Sequence, residues 1–91
     1  MHLISIITAT YNSSSELLET YKSISSQTLD SWEWLVTDDC SSDSTYQLLQ
    51  EISEKDQRVK VFKNAVNSGA AVARNSSLSH AKGDFIAFID S

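Results

Sequence analysis

The sequence predicts an α/β fold with a doubly wound, mostly parallel sheet and the element order βαβαβαβ. Apolar, β-rich runs alternate along the chain with segments whose apolar residues recur at helical spacing. The last run, FIAFI, is apolar at every position, which is typical of a strand covered on both faces. With 41% hydrophobic and 21% charged residues, the 91-residue chain has the composition of one ordinary globular domain.

The first strand is predicted in the run LISIITA, and a helix with one apolar face follows it. The apolar residues of this helix, at positions i, i+1, i+4 and i+7, are Leu17, Leu18, Tyr21 and Ile24. Ser13 and Glu16 stand three residues apart just before them, as the two partners of a capping box do. The sequence therefore predicts that this helix begins with a reciprocal side-chain cap.

The second strand is predicted in WEWLVTD and the second helix shortly after it. Trp32 and Trp34 alternate onto one face of the strand, so both are interpreted as core residues. Ser42 or Asp43 is a suitable cap for the helix. The inner stripe of that helix is expected to contain Tyr46, Leu49 and either Ile52 or Ser53.

The third strand is predicted in RVKVF, which is short and alternating, as in a strand nearer the sheet edge. Asn67, Ser68 and Gly69 then introduce an alanine-rich helix from about Ala70 to Lys82. Gly83 is expected to end this helix in the left-handed conformation. FIAFID follows as the fourth strand.

Helical crossovers make the strands parallel, and right-handed connections favour the strand order 3-2-1-4. In that order the first two helices cover one face of the sheet and the third covers the other. Ligands of open α/β sheets bind beyond the carboxyl ends of the strands. The residues expected to converge there are Thr10, Tyr11 and Asn12, Asp38 and Asp39, and Asp90 and Ser91.

The charge and cysteine content exclude several classes of function. A net charge of -5, with only seven Lys and Arg residues, argues against nucleic acid as a partner. The single cysteine, Cys40, excludes an internal disulfide and is compatible with the cytoplasm. No apolar run approaches the roughly 20 residues that span a bilayer, so the chain is expected not to cross a membrane.

The turn after the first strand, TYNSSS, contains no glycine, which disfavours a dinucleotide-binding fold. No P-loop pattern occurs elsewhere in the sequence. Three aspartates at one crevice repel one another unless a cation relieves them, and carboxylates with a substrate diphosphate are typical ligands of Mg²⁺ or Mn²⁺. The sequence therefore predicts a divalent cation at this edge of the sheet.

Three segments, in order and spacing, carry a resemblance to a known family: SIITATYN, WEWLVTDDCSSDST and NSGAAVARNSSLSHAKGDFIAFIDS. They resemble the N-terminal, nucleotide-sugar-binding half of the inverting family-two glycosyltransferases of the A-type fold. The resemblance covers nearly the whole chain. It implies that the parent protein transfers a sugar from a nucleotide-diphosphate donor, usually a UDP-sugar, to a hydroxyl group with inversion, in cell-surface polysaccharide synthesis.

The resemblance also implies roles for individual residues. Thr10 and Tyr11, with Asn12 beside them, resemble the residues that line the nucleoside pocket. Asp39 resembles the aspartate that recognises uracil, and Asp38 supports it. Arg74 resembles the family arginine that lies beside the nucleotide. Asp90 resembles the first aspartate of a metal-binding Asp-x-Asp motif, whose second aspartate lies past Ser91.

Residues 1–91 are accordingly expected to form a single N-terminal domain fragment, without the acceptor half. The resemblance places the rest of the metal site, the acceptor pocket and the catalytic base in that other half, so the isolated chain is expected to turn over little or no substrate. A sugar or lipid-linked acceptor and a location peripheral to the inner face of the membrane follow from the family alone. Two departures are Ala9, where the family often has proline, and Cys40, where it often has glycine.

Other functions compete with this interpretation. A receiver-like signalling module also gathers aspartates and Mg²⁺ at strand ends, but its acidic pair is expected after the first strand, whereas Asp38 and Asp39 follow the second. A dinucleotide-binding domain is disfavoured by the turn after the first strand. An uncovered edge of the fourth strand would also allow self-association.

Overall fold

The computed structural model describes residues 2–26 and 31–90, which form four strands and three helices. The strands are β1 (Ile4–Thr10), β2 (Trp32–Asp38), β3 (Val59–Lys63) and β4 (Phe85–Phe88). The helices are α1 (Leu17–Ser25), α2 (Thr45–Lys55) and α3 (Ala70–Leu78). The predicted order βαβαβαβ is confirmed. Within the described ranges, no helix has the length and apolar character needed to span a bilayer.

The four strands form one parallel sheet in the order β3-β2-β1-β4, as predicted. In the register of the sheet, Thr10 lies opposite Asp38, and Asp38 lies opposite Lys63. The carboxyl ends of β1, β2 and β3 are therefore level. The loops that follow these three strands emerge side by side at one edge.

The helices cover the two faces as expected. The apolar cluster on one face combines residues of β1, β2 and β3 with Leu17 and Ile24 of α1 and Leu49 and Ile52 of α2. On the other face, Ala73 of α3 is fully buried, and the hydroxyl groups of Ser77 and Thr37 share a hydrogen bond of 2.6 Å. Because helices cover both faces of the sheet, the central strands are rigid supports for the loops at their ends.

Trp34 is the largest fully buried side chain. Its indole Nε1 donates to Thr8 Oγ1 at 2.9 Å, and its ring stacks on Tyr21 with 6.1 Å between ring centroids. Trp32 is also buried, with the guanidinium of Arg58 3.9 Å from its ring centroid. Both tryptophans are core residues, as the alternation along β2 predicted.

The prediction that the fourth strand is covered on both faces is wrong for the described residues. Phe85 and Phe88 are 56% and 60% exposed, and Ile86 is also exposed. The physical reason is position: β4 pairs with β1 at the edge of the sheet, while α3 packs against β1 and β2. An exposed apolar edge strand favours pairing with another chain, so self-association stays a prediction.

The predicted end of the third helix is also wrong. Helix α3 ends at Leu78 with Ser79 as its C-cap in a right-handed conformation, and Gly83 lies outside the helix. Among the described glycines, Gly69 is the one with positive φ, at 98°. Gly83 is needed for close approach instead: a Cβ there would lie 2.5 Å from Ser5 Oγ and 2.8 Å from Leu3 O.

The predicted caps of the first two helices are shifted in the structure. The N-cap of α1 is Glu16 and that of α2 is Ser44, and neither makes a side-chain cap hydrogen bond. Asp43, one residue earlier, accepts the backbone N–H of Thr45 at 2.9 Å through Oδ1. Asp43 therefore satisfies the first free amide of α2, while α1 begins at Leu17, after the N-cap Glu16.

We expect Gly83→Ala to lower the free energy of unfolding by about 1–3 kcal/mol, because the new methyl group overlaps the backbone of β1. The substitution also disturbs the hydrogen bond from the Gly83 amide to Ser5 Oγ, which is 2.8 Å long. Urea unfolding followed by circular dichroism measures the change. The adjacent substitution Lys82→Ala, at an exposed side chain, is the control and should change stability by less than about 0.5 kcal/mol. Equal stability of the two variants would contradict the steric argument.

Candidate functional site

The candidate site lies where the loops after β1, β2 and β3 meet at the carboxyl edge of the sheet. The backbone N–H of Asp39 donates to Thr10 O at 2.8 Å, and the N–H of Asn64 donates to Asp38 O at 2.9 Å. These two bonds continue the parallel ladders by one residue into the loops. The side chains that follow are consequently held at defined heights above the sheet.

Asp38 is fully buried and shapes the turn after β2. Its Oδ1 accepts the hydroxyl groups of Thr10 at 3.0 Å and Ser41 at 2.5 Å, and its Oδ2 accepts the Ser41 amide at 2.9 Å. Thr10 is itself only 1% exposed. Both side chains thus lie beneath the surface of the site and support the residues above them.

Asp39 joins the end of β2 to the start of α3. Its Oδ1 accepts Asn64 Nδ2 at 2.9 Å and the Ser68 amide at 2.8 Å, and its Oδ2 accepts the Gly69 amide at 2.8 Å. The Asn64 side chain, followed by the two backbone amides, lowers the pKa of Asp39 against the opposing effect of desolvation. The carboxylate is therefore an ionised acceptor at neutral pH.

The loops after β1 and β2 are tied to each other through Asn12. Its amide donates to Ser41 Oγ at 2.8 Å, and its side-chain Oδ1 accepts the Ser42 amide at 2.9 Å. Asp43 accepts hydrogen bonds from Thr45 and Ser14, led by the Thr45 hydroxyl, which lowers its pKa to about 2. The two loops therefore form one hydrogen-bonded unit.

The backbone of this unit includes a residue under strain. Cys40 has φ 61°, in the left-handed region where a non-glycine residue costs on the order of 1 kcal/mol. Glycine, which the family often has at this position, adopts this conformation without such a cost. The thiol of Cys40 donates weakly to Ala65 O at 3.6 Å, which places it against the loop after β3.

Tyr11 is the exposed aromatic residue of this edge, with 51% of its surface accessible. Arg74 lies half-buried on α3, one turn beyond Gly69, and within the described chain it forms no salt bridge. The Ile89 amide donates to Ile7 O at 3.1 Å, so Asp90 leaves the sheet at the same edge. Asp90 lies exposed beside α1, in a groove of about 290 Å³.

The structure joins three of the predicted residues, Thr10, Asp38 and Asp39, by direct hydrogen bonds. Asn12 is linked to Asp38 through the hydroxyl of Ser41, and Tyr11 lies between Thr10 and Asn12 in the chain. No hydrogen bond between described residues links Arg74 or Asp90 to this group. Their convergence with it stays a prediction.

The described residues do not assemble a metal site on their own. In residues 2–26 and 31–90, no group of three or more His, Cys, Asp or Glu side chains is placed to hold a metal ion. Asp90 is exposed, and its role as the one metal ligand from this chain stays a prediction. The expected second aspartate and Ser91 lie outside the described residues.

Sequence reasoning missed the loop of residues 64–69, which holds the carboxylate of Asp39. Asn64 directly follows β3, and β3 lies beside β2, so the rule that singled out the other strand ends applies to it equally. The amides of Ser68 and Gly69 had no sequence signal as carboxylate donors, since any residue carries a backbone amide. The positive φ of Gly69 was signalled by the glycine itself.

Comparison with known sequences relates nearly the whole chain to one family of enzymes. The family model described as Glycosyl transferase family 2 matches residues 5–91. The UDP-Glc:alpha-D-GlcNAc-diphosphoundecaprenol beta-1,3-glucosyltransferase WfgD of Escherichia coli is 44% identical over 90 residues, which are 99% of this chain and 35% of WfgD. The chain thus spans about a third of the length of this curated relative.

Solved structures with the same fold include nucleotide complexes. S. aureus TarS 1-349 in complex with UDP superposes with a TM-score of 0.89 at 36% identity, over 98% of this chain and 27% of that one. The mannosyltransferase PcManGT from Pyrobaculum calidifontis, in complex with GDP-Man and Mn²⁺, gives a TM-score of 0.89 at 26% identity, over 98% and 27% of the two chains. The predicted doubly wound fold is therefore shared with both proteins.

Proposed function

Because the chain belongs to glycosyl transferase family 2, we propose that it is the nucleotide-binding part of an enzyme that transfers a sugar from a UDP-sugar to a hydroxyl group with inversion. Residues 1–91 form its N-terminal domain fragment in this proposal. The observation that carries the proposal is the carboxylate of Asp39, held by Asn64, Ser68 and Gly69 at the carboxyl edge of the sheet, where the exposed residue Tyr11 follows the neighbouring strand β1. This arrangement suits a base that donates one N–H and stacks one face.

In this proposal, the uracil base contacts both Asp39 and Tyr11. Its N3–H donates to Asp39, and its ring stacks on Tyr11, an interaction worth about 1–3 kcal/mol for a base on an aromatic side chain. Asn12 and Asp38 have a supporting role: their side chains accept hydrogen bonds from loop amides and hold the turns that carry Tyr11 and Asp39. Relatives with UDP in the crystal, such as TarS, support the choice of this nucleotide.

Arg74 and Asp90 are assigned to the diphosphate end of the donor. Arg74 offers a guanidinium without a carboxylate partner among the described residues, in a chain of net charge -5 that must still bind an anion. Asp90 supplies one ligand for Mg²⁺ or Mn²⁺, and the Mn²⁺ in the PcManGT complex supports such an ion. When bound, this ion neutralises charge on the departing diphosphate.

The acceptor and the catalytic base are assigned to the part of the relatives that this chain does not span. An inverting displacement needs a base that removes the proton of the acceptor hydroxyl. Asp38 and Asp39 are assigned no such role in this proposal, because both carboxylates are engaged as hydrogen-bond acceptors of neighbouring loop residues. The isolated chain is therefore expected to bind the donor and to transfer little or no sugar.

The name of WfgD includes a diphosphoundecaprenol-linked acceptor, which supports a lipid-linked sugar as the acceptor here. Such an acceptor would bring the enzyme to the inner face of the cytoplasmic membrane, in the synthesis of a cell-surface polysaccharide. The soluble donor is then taken from the cytoplasm. Incubation of the parent protein with UDP-sugars and a diphosphoundecaprenol-linked sugar tests this assignment, and transfer to water alone would contradict it.

We expect the chain to bind UDP, and Tyr11→Ala to weaken that binding about 5- to 100-fold through the loss of stacking. Amide-resolved NMR titration with UDP, in the presence and absence of Mg²⁺, gives both the affinity and the location. The shifts should centre on Tyr11, Asp39 and Arg74. NAD is the ligand control, and Leu18→Ala, at a 50%-exposed side chain of α1, is the protein control. A folded chain whose spectrum is unmoved by UDP would contradict the proposal.

A further inference from the structure

The hydrogen bonds of Asp39 leave its carboxylate with little remaining capacity. An ionised carboxylate has about four lone-pair positions, two on each oxygen. Oδ1 already accepts from Asn64 Nδ2 and from the Ser68 amide, so both of its positions are occupied. Oδ2 accepts only from the Gly69 amide among the described residues. One acceptor position remains, and it is on Oδ2.

Asn64 is the one side chain among these three donors. The other two are backbone amides, which every residue at positions 68 and 69 except proline would provide. Asn64 is itself held in place, because its backbone amide donates to Asp38 O at 2.9 Å and its side chain is partly buried. The identity of residue 64 therefore decides whether Oδ1 has a free position.

We propose that Asn64 is a specificity-determining residue, which restricts the site to bases that present a single N–H to Asp39 by occupying the last free position on Oδ1. This inference rests on the proposed function, in which Asp39 contacts the base. It assigns to Asn64 a role in the choice of nucleotide, in addition to its role in holding the loop.

The donor patterns of the bases explain the expected selectivity. Uracil presents one N–H, at N3, and needs one acceptor. Guanine presents two adjacent donors, N1–H and the 2-amino group, which pair with a carboxylate only if each oxygen has a free position. With Oδ1 full, one guanine donor is buried without a partner, which weakens binding at least about fivefold. Cytosine has a lone pair at N3, which faces the ionised carboxylate and is repelled.

The wild-type chain tests the inference through two purine nucleotides, inosine diphosphate (IDP) and GDP. They have the same ring size and differ only in the 2-amino group, which IDP lacks. We expect IDP to bind at least about fivefold more tightly than GDP, measured by calorimetry or NMR titration. Equal affinities, or tighter binding of GDP, would overturn the inference, and this comparison needs no variant.

The substitution Asn64→Ala should free one position on Oδ1 and remove the discrimination. The ratio of GDP to IDP affinity is expected to rise at least about fivefold relative to the wild type, while the absolute affinity for UDP falls as the carboxylate loses a support. A merely structural role for Asn64 would weaken all three nucleotides alike. If the wild type binds UDP but neither purine, and Asn64→Ala still binds no GDP, pocket size sets the specificity and the inference is wrong.

Ser68→Ala is the matched control. The hydroxyl of Ser68 donates to Val66 O at 3.0 Å, whereas its backbone amide is the group that contacts Asp39. This variant should therefore keep the wild-type ratio of IDP to GDP affinity. UDP binding without discrimination between the two purines overturns the inference alone, whereas a folded chain that binds no UDP overturns the proposed function and the inference with it.

Discussion

Replacement of Trp34 by alanine is expected to lower the free energy of unfolding by about 3–5 kcal/mol, the largest loss of stability for a single substitution in this chain. Trp34 is fully buried at the centre of β2, where its ring packs against Tyr21 and the helical layer. Alanine would leave a cavity between the sheet and the helices α1 and α2, which the surrounding side chains cannot fill. It would also remove the donor to Thr8 Oγ1, a buried acceptor.

Domains of this size have a total stability on the order of 5–15 kcal/mol, so the variant should be close to unfolding at room temperature. Urea unfolding at 10 °C, followed by far-UV circular dichroism, measures the change. Trp34→Phe preserves most of the buried ring but loses the indole donor, and should therefore cost less than Trp34→Ala. Val66→Ala, at a side chain that is 67% exposed, should be nearly neutral. An alanine variant of near wild-type stability would show that the central strand is not the core.

Asp39→Asn is expected to reduce the affinity for UDP by about 100-fold or more and to destabilise the loop of residues 64–69. The substitution preserves the shape of the side chain but turns one acceptor oxygen into an NH₂ donor. That donor would face either the Gly69 amide or the pair of donors from Asn64 and Ser68, because the carboxylate accepts on both sides. Two opposed donors at a buried position cost about 1–3 kcal/mol, in addition to the lost contact with the base.

The loss of UDP affinity is measured by calorimetry on the folded variant, and the loss of stability by urea unfolding. Asp43→Asn is the matched control: it makes the same chemical change in the same loop, at an exposed residue that caps α2. It should cost about 1 kcal/mol of stability as a weakened cap and leave UDP binding unchanged. Similar UDP affinity for Asp39→Asn and the wild type would remove Asp39 from the site.

The element order and the strand order were predictable because they follow from local rules. The 3.6-residue spacing of Leu17, Tyr21 and Ile24 and the alternation in β2 each involve residues close in sequence. Right-handed crossovers then leave few topologies, and the observed order β3-β2-β1-β4 is one of them. The convergence of Thr10, Asp38 and Asp39 followed from the same topology.

The wrong predictions concern short sequence patterns that are compatible with more than one structure. The apolar run of β4 resembles a covered strand, but its coverage depends on which helix packs beside it, and α3 packs on β1 and β2 instead. Glycine after a helix often marks a left-handed cap, yet Gly83 serves a close contact with Ser5, 78 residues away. Ser13 and Glu16 have the spacing of a capping box, but the N-cap of α1 is Glu16, three residues after the predicted cap Ser13.

By itself, the sequence determined the fold class, the order of the strands and the edge at which the candidate site lies, because periodicity and chain connectivity are properties of neighbouring residues. Only the tertiary structure decided how the lone pairs of Asp39 are used. Its partners Asn64, Ser68 and Gly69 are 25 to 30 residues away, and their distances depend on how the loops after β2 and β3 pack together. Hydrogen bonding acts over about 3 Å, so no pattern along the chain specifies which donors reach a given carboxylate.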